Sequence, residues 1–396
     1  MKRILFLTFY FHPDLCAGSF RNSPLADELS RQTHDKDIRI DVFTTHPNRY
    51  ASYIHEAESS EEYENLYIKR VQIPVHKSGI LDQTLSFRTY FFETLRKTKG
   101  IQYDLIFASS SRFFTSYLAY RIAKRNKCPL FIDVRDIFSE TLYHISGNPL
   151  IKHIVVPVIK RLEKKIYHYA SHINLISEGF KSSFSDFPEN KISFFTHGID
   201  PIFLKKKTGI QKDLSSLRKK ILYAGNIGEG QGLHKIVPQA AKQLMGQYDF
   251  EIIGDGGALE KLKEEIVNQG IINVKIRKPI DRKTLADEYQ KADILFIHLN
   301  DLEIFRKVLP SKIFELAVAG KPVLAGVSGY AEQFLKENVN HSYIFEPCDL
   351  NGLLESLKLI KQNEYQSDVT QTQNFIKLFS RASINKKLVK RILGTT

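Results

Sequence analysis

Short apolar runs rich in β-branched and aromatic residues alternate along this chain with helix-length segments of mixed polarity. In the first half the runs are ILFLTFYF (4–11), IRIDVFTT (38–45), YIKRVQIPV (67–75), DLIFAS (104–109), LFIDV (130–134), HINLIS (172–177) and ISFFTHG (192–198). A second series follows: KILYAG (220–225), FEIIGD (250–255), INVKIRKP (272–279), ADILFIHL (292–299), KPVLAGV (321–327) and YIFEP (343–347). Strands that alternate with helices predict parallel sheets covered on both faces, an α/β architecture built twice. A chain of 396 residues also exceeds the size of a single core. The expected domains are 1–200 and 221–374, each Rossmann-like, joined by a polar, lysine-rich linker at 201–220. Phe375, Leu378, Phe379, Ile384, Leu388 and Ile392 fall near helical spacing, so 375–396 is expected as a packing helix that returns to the N-terminal domain. Ligands of doubly wound sheets bind beyond the strand C-termini, which predicts a cleft between two facing domains.

Composition narrows this picture. The chain is 42% hydrophobic and 26% charged, ordinary for a globular protein. Cys16, Cys128 and Cys348 are scattered without metal-ligand spacing, which fits a reducing cytosol. The opening MKRILFLTFYF starts like an export signal, but its apolar run is short and is broken at His12, Pro13 and Asp14. It reads as a buried first strand. No apolar stretch approaches the roughly 20 residues needed to cross a bilayer. The formal charge of +13 calls for an acidic partner. Residues 77–165 hold 16 Lys/Arg against 7 Asp/Glu, so the surplus is concentrated in the first domain. No zinc-finger spacing, RNP aromatic motif or recognition helix accompanies it, and nucleic acid is not the expected partner.

The most informative stretch is FRKVLPSKIFELAVAGKPV, residues 305–323. Ser311 is placed as the N-cap of a helix closed at Gly320. Free amides at such a start attract anions, and Arg306, Lys307 and Lys312 add positive charge, a set suited to a diphosphate. Lys312 and Glu315 share a face, and the carboxylate suits ribose hydroxyls. Four loops stand where the fold puts ligands. The first, 12–21, offers Gly18, Ser19 and Arg21. The second, 224–232, holds Gly225, Asn226 and Gly228 in a glycine-rich turn that matches neither the dinucleotide fingerprint nor the P-loop. The third contains Gly254 and Asp255, and the fourth Arg135 and Asp136 after the strand LFIDV. Each of these loops equally suits an ordinary βα turn. No Ser-His-Asp order, carboxylate pair or metal cluster emerges. His144, His153 and His197 read as surface or packing residues, and His298 as a cleft-facing candidate.

Taken together, the segments FIDVRDIFSET, LISEGFKSSF, FFTHGID, FEIIGDGG and IFRKVLPSKIFELAVAGKPVLAGVSG resemble the GT-B glycosyltransferases of glycosyltransferase family four. The similarity is to their bacterial branch related to N-acetyl-L-fucosamine transferases. The resemblance implies a retaining glycosyltransferase of surface-polysaccharide synthesis, O-antigen or capsule. It also implies a nucleotide-sugar co-substrate, expected to be a UDP-N-acetylated hexosamine or deoxyhexosamine, with no obligatory metal and no cofactor. The acceptor it implies is a glycan or a polyprenyl-diphosphate-linked saccharide. Glu315 matches the second glutamate of the family's Glu-x7-Glu motif and so implies a ribose contact. Lys307 stands eight residues earlier in place of the first, with Glu303 close by. Asn226 and Gln231 occupy the positions of a usual Arg and Lys. Arg306 and Lys312 match the cations of the PSK branch, and Arg135 replaces a frequent His before the matching Asp136. The implied catalytic set is therefore Asp136, Arg135, Arg306 and Lys312. The implied donor set is Gly18, Ser19, Arg21, Gly225, Asn226, Gly228, Gly254, Asp255, Glu303, Lys307, Ser311 and Glu315.

Residues 81–100 and 148–170 are basic and amphipathic. Such helices lie on anionic lipid or pack on a sheet, and the pattern fits both. The first alternative places the protein at the inner face of the cell membrane. Two other functions share the fold: a sugar-nucleotide epimerase, and a non-catalytic sugar-nucleotide-binding subunit.

Overall fold

The structure, a computed structural model, describes all residues except 49–55, 75–79, 111–112, 205–217, 363–368 and 396. Most of the expected linker thus lies outside the described residues. The chain divides into two compact units, residues 1–197 with 382–396, and residues 198–381.

In the first unit the strands are β1 (Lys2–Leu7), β2 (Ile38–Thr45), β3 (Ser60–Tyr63), β4 (Leu66–Val71), β5 (Leu105–Ser109), β6 (Leu130–Val134), β7 (His172–Leu175) and β8 (Ile192–Ser193). Their order in the sheet is β3-β4-β2-β1-β5-β6-β7-β8. Pairing is parallel except between β3 and β4. The helices are α1 (Ala17–Thr33), α2 (Ile80–Lys97), α3 (Phe113–Asn126), α4 (Phe138–Ile145) and α5 (Val156–Tyr169). The central strands β1, β5 and β6 are buried on both faces, which is why they read as continuous apolar runs. Ser60–Tyr63 forms the antiparallel edge strand β3, and its largely exposed side chains, Glu61 and Glu62 among them, blunt the sheet edge.

The second unit holds β9 (Lys219–Asn226), β10 (Tyr248–Asp255), β11 (Val274–Arg277), β12 (Ile294–His298), β13 (Val323–Gly326) and β14 (Ser342–Phe345). These are all parallel, in the order β11-β10-β9-β12-β13-β14. Its helices are α6 (Leu233–Gln243), α7 (Leu259–Asn268), α8 (Arg282–Lys291), α9 (Lys312–Leu316), α10 (Tyr330–Asn338), α11 (Leu350–Gln362) and α12 (Val369–Phe379). A last helix, α13 (Arg381–Leu393), follows at once.

The C-terminal segment differs from the single returning helix expected from its spacing. It breaks into α12 and α13 at Ser380, which bridges to Ile199. Phe375 and Phe379 of α12 pack on Phe314 and Phe334 inside the second unit. Only the second piece joins the first unit, where Leu388, Val389 and Ile392 are buried with Leu25, Leu29 and Phe131. One amphipathic periodicity thus serves two cores, and periodicity alone cannot show that change of partner.

Candidate functional site

In the second unit the ends of β9 and β10 meet backbone to backbone. Gly225 pairs with Gly254, and Asn226 with Asp255. A Cβ on Gly254 would stand 1.8 Å from the Gly225 carbonyl oxygen, so no side chain fits there. Gly225 has φ +147, and a Cβ on it would lie 1.9 Å from Lys312 Nζ. The bare glycine face is therefore what lets the Lys312 ammonium settle over the end of β9, 5.7 Å from the Tyr223 ring centre. Burial pulls the Lys312 ammonium down to about 8, with Glu315 opposing the shift and Arg282 adding to it. A cation held half-buried over a strand end is a group for which an anionic ligand would supply the missing counter-charge.

The glycine-rich loop after β9 is braced internally. Gln231 Oε1 accepts from Asn226 Nδ2 at 2.7 Å and from the Gly228 amide at 3.2 Å. Asn226 and Gln231 thus form a loop brace. The Gln231 carbonyl accepts from His298 Nδ1 at 2.6 Å, and His298 Nε2 accepts from the Cys348 amide at 2.9 Å. Both ring nitrogens are thus committed, and burial drops the imidazole to about 4. The expectation of His298 as a cleft-facing catalyst is corrected: it is a neutral pin between two loops.

Two expectations at residues 305–323 are also corrected. The helix is only the five residues of α9, and Ser311 has helical torsion angles and caps nothing. The Ile313 and Phe314 amides donate to the Pro310 and Ser311 carbonyls in a tight turn, so they are not free for an anion. Glu315 is buried and already held. Its Oε1 accepts from Arg282 Nη2 at 2.8 Å and its Oε2 from the Tyr289 hydroxyl at 3.3 Å. Arg282 also places Nε 2.9 Å from Asp200 Oδ2, an ion pair without hydrogen-bond alignment, and Arg381 donates to the same oxygen at 2.8 Å. The guanidinium of Arg282 lies 4.7 Å from the Phe203 ring centre. Burial works to raise the Asp200 carboxyl, but Arg282 and Arg381 outweigh it and hold it below the ordinary value.

The connection from β12 to α9 carries the other expected donor residues. Glu303, Arg306 and Lys307 share one 3₁₀ turn, in which Arg306 Nε lies 3.4 Å from Glu303 Oε2 at the surface. Its Phe305 ring would lie 2.9 Å from a Cβ on Gly230, so this connection packs against the glycine-rich loop. Gly225, Asn226, Gly228, Gly254, Asp255 and Lys312 are thereby gathered at the C-terminal ends of adjacent strands. Sequence reasoning missed Arg282, Tyr289, Lys235 and Asn300. Lys235 donates to Asn300 Oδ1 at 2.9 Å, and the Asn300 amide binds the Gly230 carbonyl at the same distance. Lys235 was legible as a cation in the first turn after the glycine loop. Nothing in the local spacing marks Arg282.

The remaining expected residues belong to the first unit. Arg21 is corrected from donor ligand to structural cation. Its Nε and Nη2 both donate to Asp133 at 2.7 Å, while Nη1 and Nη2 reach the Thr196 and Phe195 carbonyls, all in the interior. Ser19 is buried on the first turn of α1. Gly18 beside it admits Arg135, whose Nη1 would stand 3.0 Å from an added Cβ. Arg135 Nε and Nη1 are buried with no hydrogen-bond partner among the described residues. Burial lowers this guanidinium to about 10, against the opposing pull of Asp133. Burial likewise raises the Asp136 carboxyl, although it accepts from Thr141 Oγ1 at 2.6 Å. Among the described residues, no group of three or more His, Cys, Asp and Glu could hold a metal ion.

Residues 205–377, which lie in the second unit, match the family model described as glycosyl transferases group 1. WcaI of Escherichia coli K12, assigned to colanic acid biosynthesis as a glycosyl transferase, is 26% identical over 179 residues. That alignment covers 43% of this chain and 44% of WcaI, less than half of each. Sucrose-phosphate synthase from Thermosynechococcus elongatus superposes with a TM-score of 0.76 at 13% identity, covering all of both chains. HepE of Anabaena, solved with UDP and glucose, superposes at 0.69 and 14%, again over all of both chains. At these identities the superpositions establish the fold alone, two Rossmann-like domains of the GT-B class.

Proposed function

We infer that this chain is a retaining glycosyltransferase. It moves a sugar from a nucleotide-diphosphate sugar to a glycan or polyprenyl-diphosphate-linked acceptor in bacterial surface-polysaccharide synthesis. The observation that carries the reading is the Lys312 ammonium, seated over Gly225 where β9 opens into a glycine-lined loop. The group 1 domain at 205–377 and the likeness to WcaI support it. The donor is proposed as a UDP-N-acetylated hexosamine or deoxyhexosamine.

In this reading Lys312 neutralises the diphosphate as the sugar bond breaks. Its interaction strengthens as charge grows on the leaving oxygen, which is the condition for lowering the barrier. The acceptor hydroxyl attacks from the face that the diphosphate vacates. Its proton passes to the departing phosphate oxygen, so configuration is retained without a protein nucleophile. Arg306, on its exposed turn, is the second cation for the diphosphate. Arg135 and Asp136 face the acceptor, the guanidinium using Nε and Nη1, which have no hydrogen-bond partner among the described residues. Glu315, held by Arg282 and Tyr289, keeps lone pairs for the ribose hydroxyls.

Calorimetric titration tests the diphosphate assignment. UDP is expected to bind at least tenfold more tightly than UMP and to lose that advantage in Lys312→Ala. Equal affinities for UDP, UMP and uridine would remove the diphosphate from this site.

A further inference from the structure

The elements after Asp136 carry a surface that the transfer reaction does not use. Six apolar side chains stand out in water there: Tyr143 and Ile145 on α4, then Leu150, Ile154, Val155 and Val158. Leu150, Ile154 and Val158 are 66%, 60% and 55% exposed and recur every four residues, through the π-helical turn Ile151–Val155 into α5. An apolar stripe of this size facing water is unusual for a helix whose opposite side already packs in the core, as Val156, Ile166 and Tyr167 do.

Its charge is one-sided. Between Glu140 and Glu178 the cations are Lys152, Lys160, Arg161, Lys164 and Lys165, and the one acid is Glu163. Glu163 is buried, where it accepts from the Ser139 amide at 3.2 Å and from the Ser139 hydroxyl. The single negative charge is thus turned inward, tying α5 to the first turn of α4. The outward face carries aliphatic groups with cations beside and beyond them. Lys164 meets one external acid, Asp186, in an exposed pair at 3.0 Å. Lys152 folds over the Tyr143 ring at 5.1 Å.

Cations alone would suit any polyanion, and an apolar stripe alone would suit a protein partner. Aliphatic side chains flanked by Lys and Arg suit a bilayer surface, where the stem atoms enter the acyl boundary and the charges meet headgroup phosphates. We propose that the face formed by Tyr143, Ile145, Leu150, Ile154, Val155 and Val158, with Lys160, Arg161, Lys164 and Lys165, docks on a membrane rich in anionic phospholipid. The other basic amphipathic segment is not part of this face. On α2, Phe87 and Tyr90 are buried and Phe91 stacks on Tyr117, while Leu85 and Phe92 are exposed and Arg96 pairs with Glu93.

Vesicle co-sedimentation of the full chain, with no sugar nucleotide present, tests the proposal apart from the transferase reading. The probes are vesicles of phosphatidylglycerol with phosphatidylethanolamine, and vesicles of phosphatidylcholine alone. Binding to the anionic vesicles is expected, at least tenfold stronger than to the neutral ones and falling as salt rises. The Leu150→Ser, Ile154→Ser, Val158→Ser triple variant should lose at least tenfold in binding at every salt concentration. Replacing Lys160, Arg161, Lys164 and Lys165 with Gln should remove the salt dependence as well. Both variants should keep wild-type UDP affinity and circular dichroism, which separates lost docking from lost folding. Absence of vesicle binding, or binding unchanged in both variants, would overturn the proposal. So would a dimer that the serine substitutions dissociate, which would assign the face to a second copy of the chain.

Discussion

Lys312→Met is expected to lower turnover of the nucleotide-diphosphate sugar by about 10²–10³-fold, the usual effect of removing one group that stabilises charge developing in a transition state. Nucleoside binding should change little, because the ammonium has no role toward the base or ribose in this account. The same residue predicts a pH signature. Its pKa is near 8 in the folded protein and about 10.5 when solvated, so in the free enzyme the charge disappears as pH rises through 8. A bound diphosphate restores the preference for the charged form. Binding UDP at pH 9 should therefore take up close to one proton, read by calorimetry in buffers of different ionisation enthalpy. That uptake should vanish in Lys312→Met. The linkage sign also sets the stability effect. A cation with a depressed folded pKa costs stability below that pKa, and the cost fades as pH climbs toward the unfolded value. Lys312→Met should thus melt higher than wild type at pH 7 while losing activity. A variant that loses activity and stability together would mark Lys312 as a packing residue.

Arg282→Ala should be the most damaging single change to the second unit, by about 3–5 kcal/mol, because it leaves buried charge without its partner. Arg282 lies between Asp200 and Glu315 and over the face of Phe203, with its side chain 13% exposed. Asp200 keeps Arg381, but Glu315 would be left, among the described residues, with the Tyr289 hydroxyl as its side-chain hydrogen-bond partner. Urea unfolding is expected to show the loss as a lower midpoint. UDP affinity should also fall in whatever fraction remains folded, since Glu315 would no longer be oriented. Arg282→Lys should recover only part of both effects, because one ammonium does not reproduce the guanidinium's planar fork between two carboxylates. A wild-type midpoint in Arg282→Ala would show that the pairs contribute nothing net.

The strand–helix alternation was legible because parallel strands buried on both faces leave unbroken apolar runs, as in β5, β6 and β12. The edge strand β3 was not, since SEEY has the polarity of a loop and is recruited by pairing with β4. Loop glycines pointed to the strand ends, and the close contacts of Gly225 and Gly254 supply the physical reason. The reach of long side chains was not legible. Arg21 stands by position among ligand-facing residues, yet its donors are consumed by Asp133 and two carbonyls, and Arg282, which holds Glu315, is likewise distant in sequence from its partner. His298 looked free at a strand end, but its partners are two backbone groups whose approach depends on the folded loops. The helix expected at Ser311 failed for a local reason: Pro310 brings the chain into a tight turn that consumes the first amides.

Transfer of a sugar from a nucleotide donor is tested by product analysis with mass spectrometry and NMR. The full chain would be incubated with a panel of UDP-, GDP- and dTDP-sugars and a polyprenyl-diphosphate-linked saccharide. Release of the nucleoside diphosphate is expected together with an acceptor extended by one sugar, its anomeric configuration the same as in the donor. Isomerised sugar nucleotide with no extended acceptor, an inverted product, or tight donor binding without turnover across the panel would contradict retaining transfer.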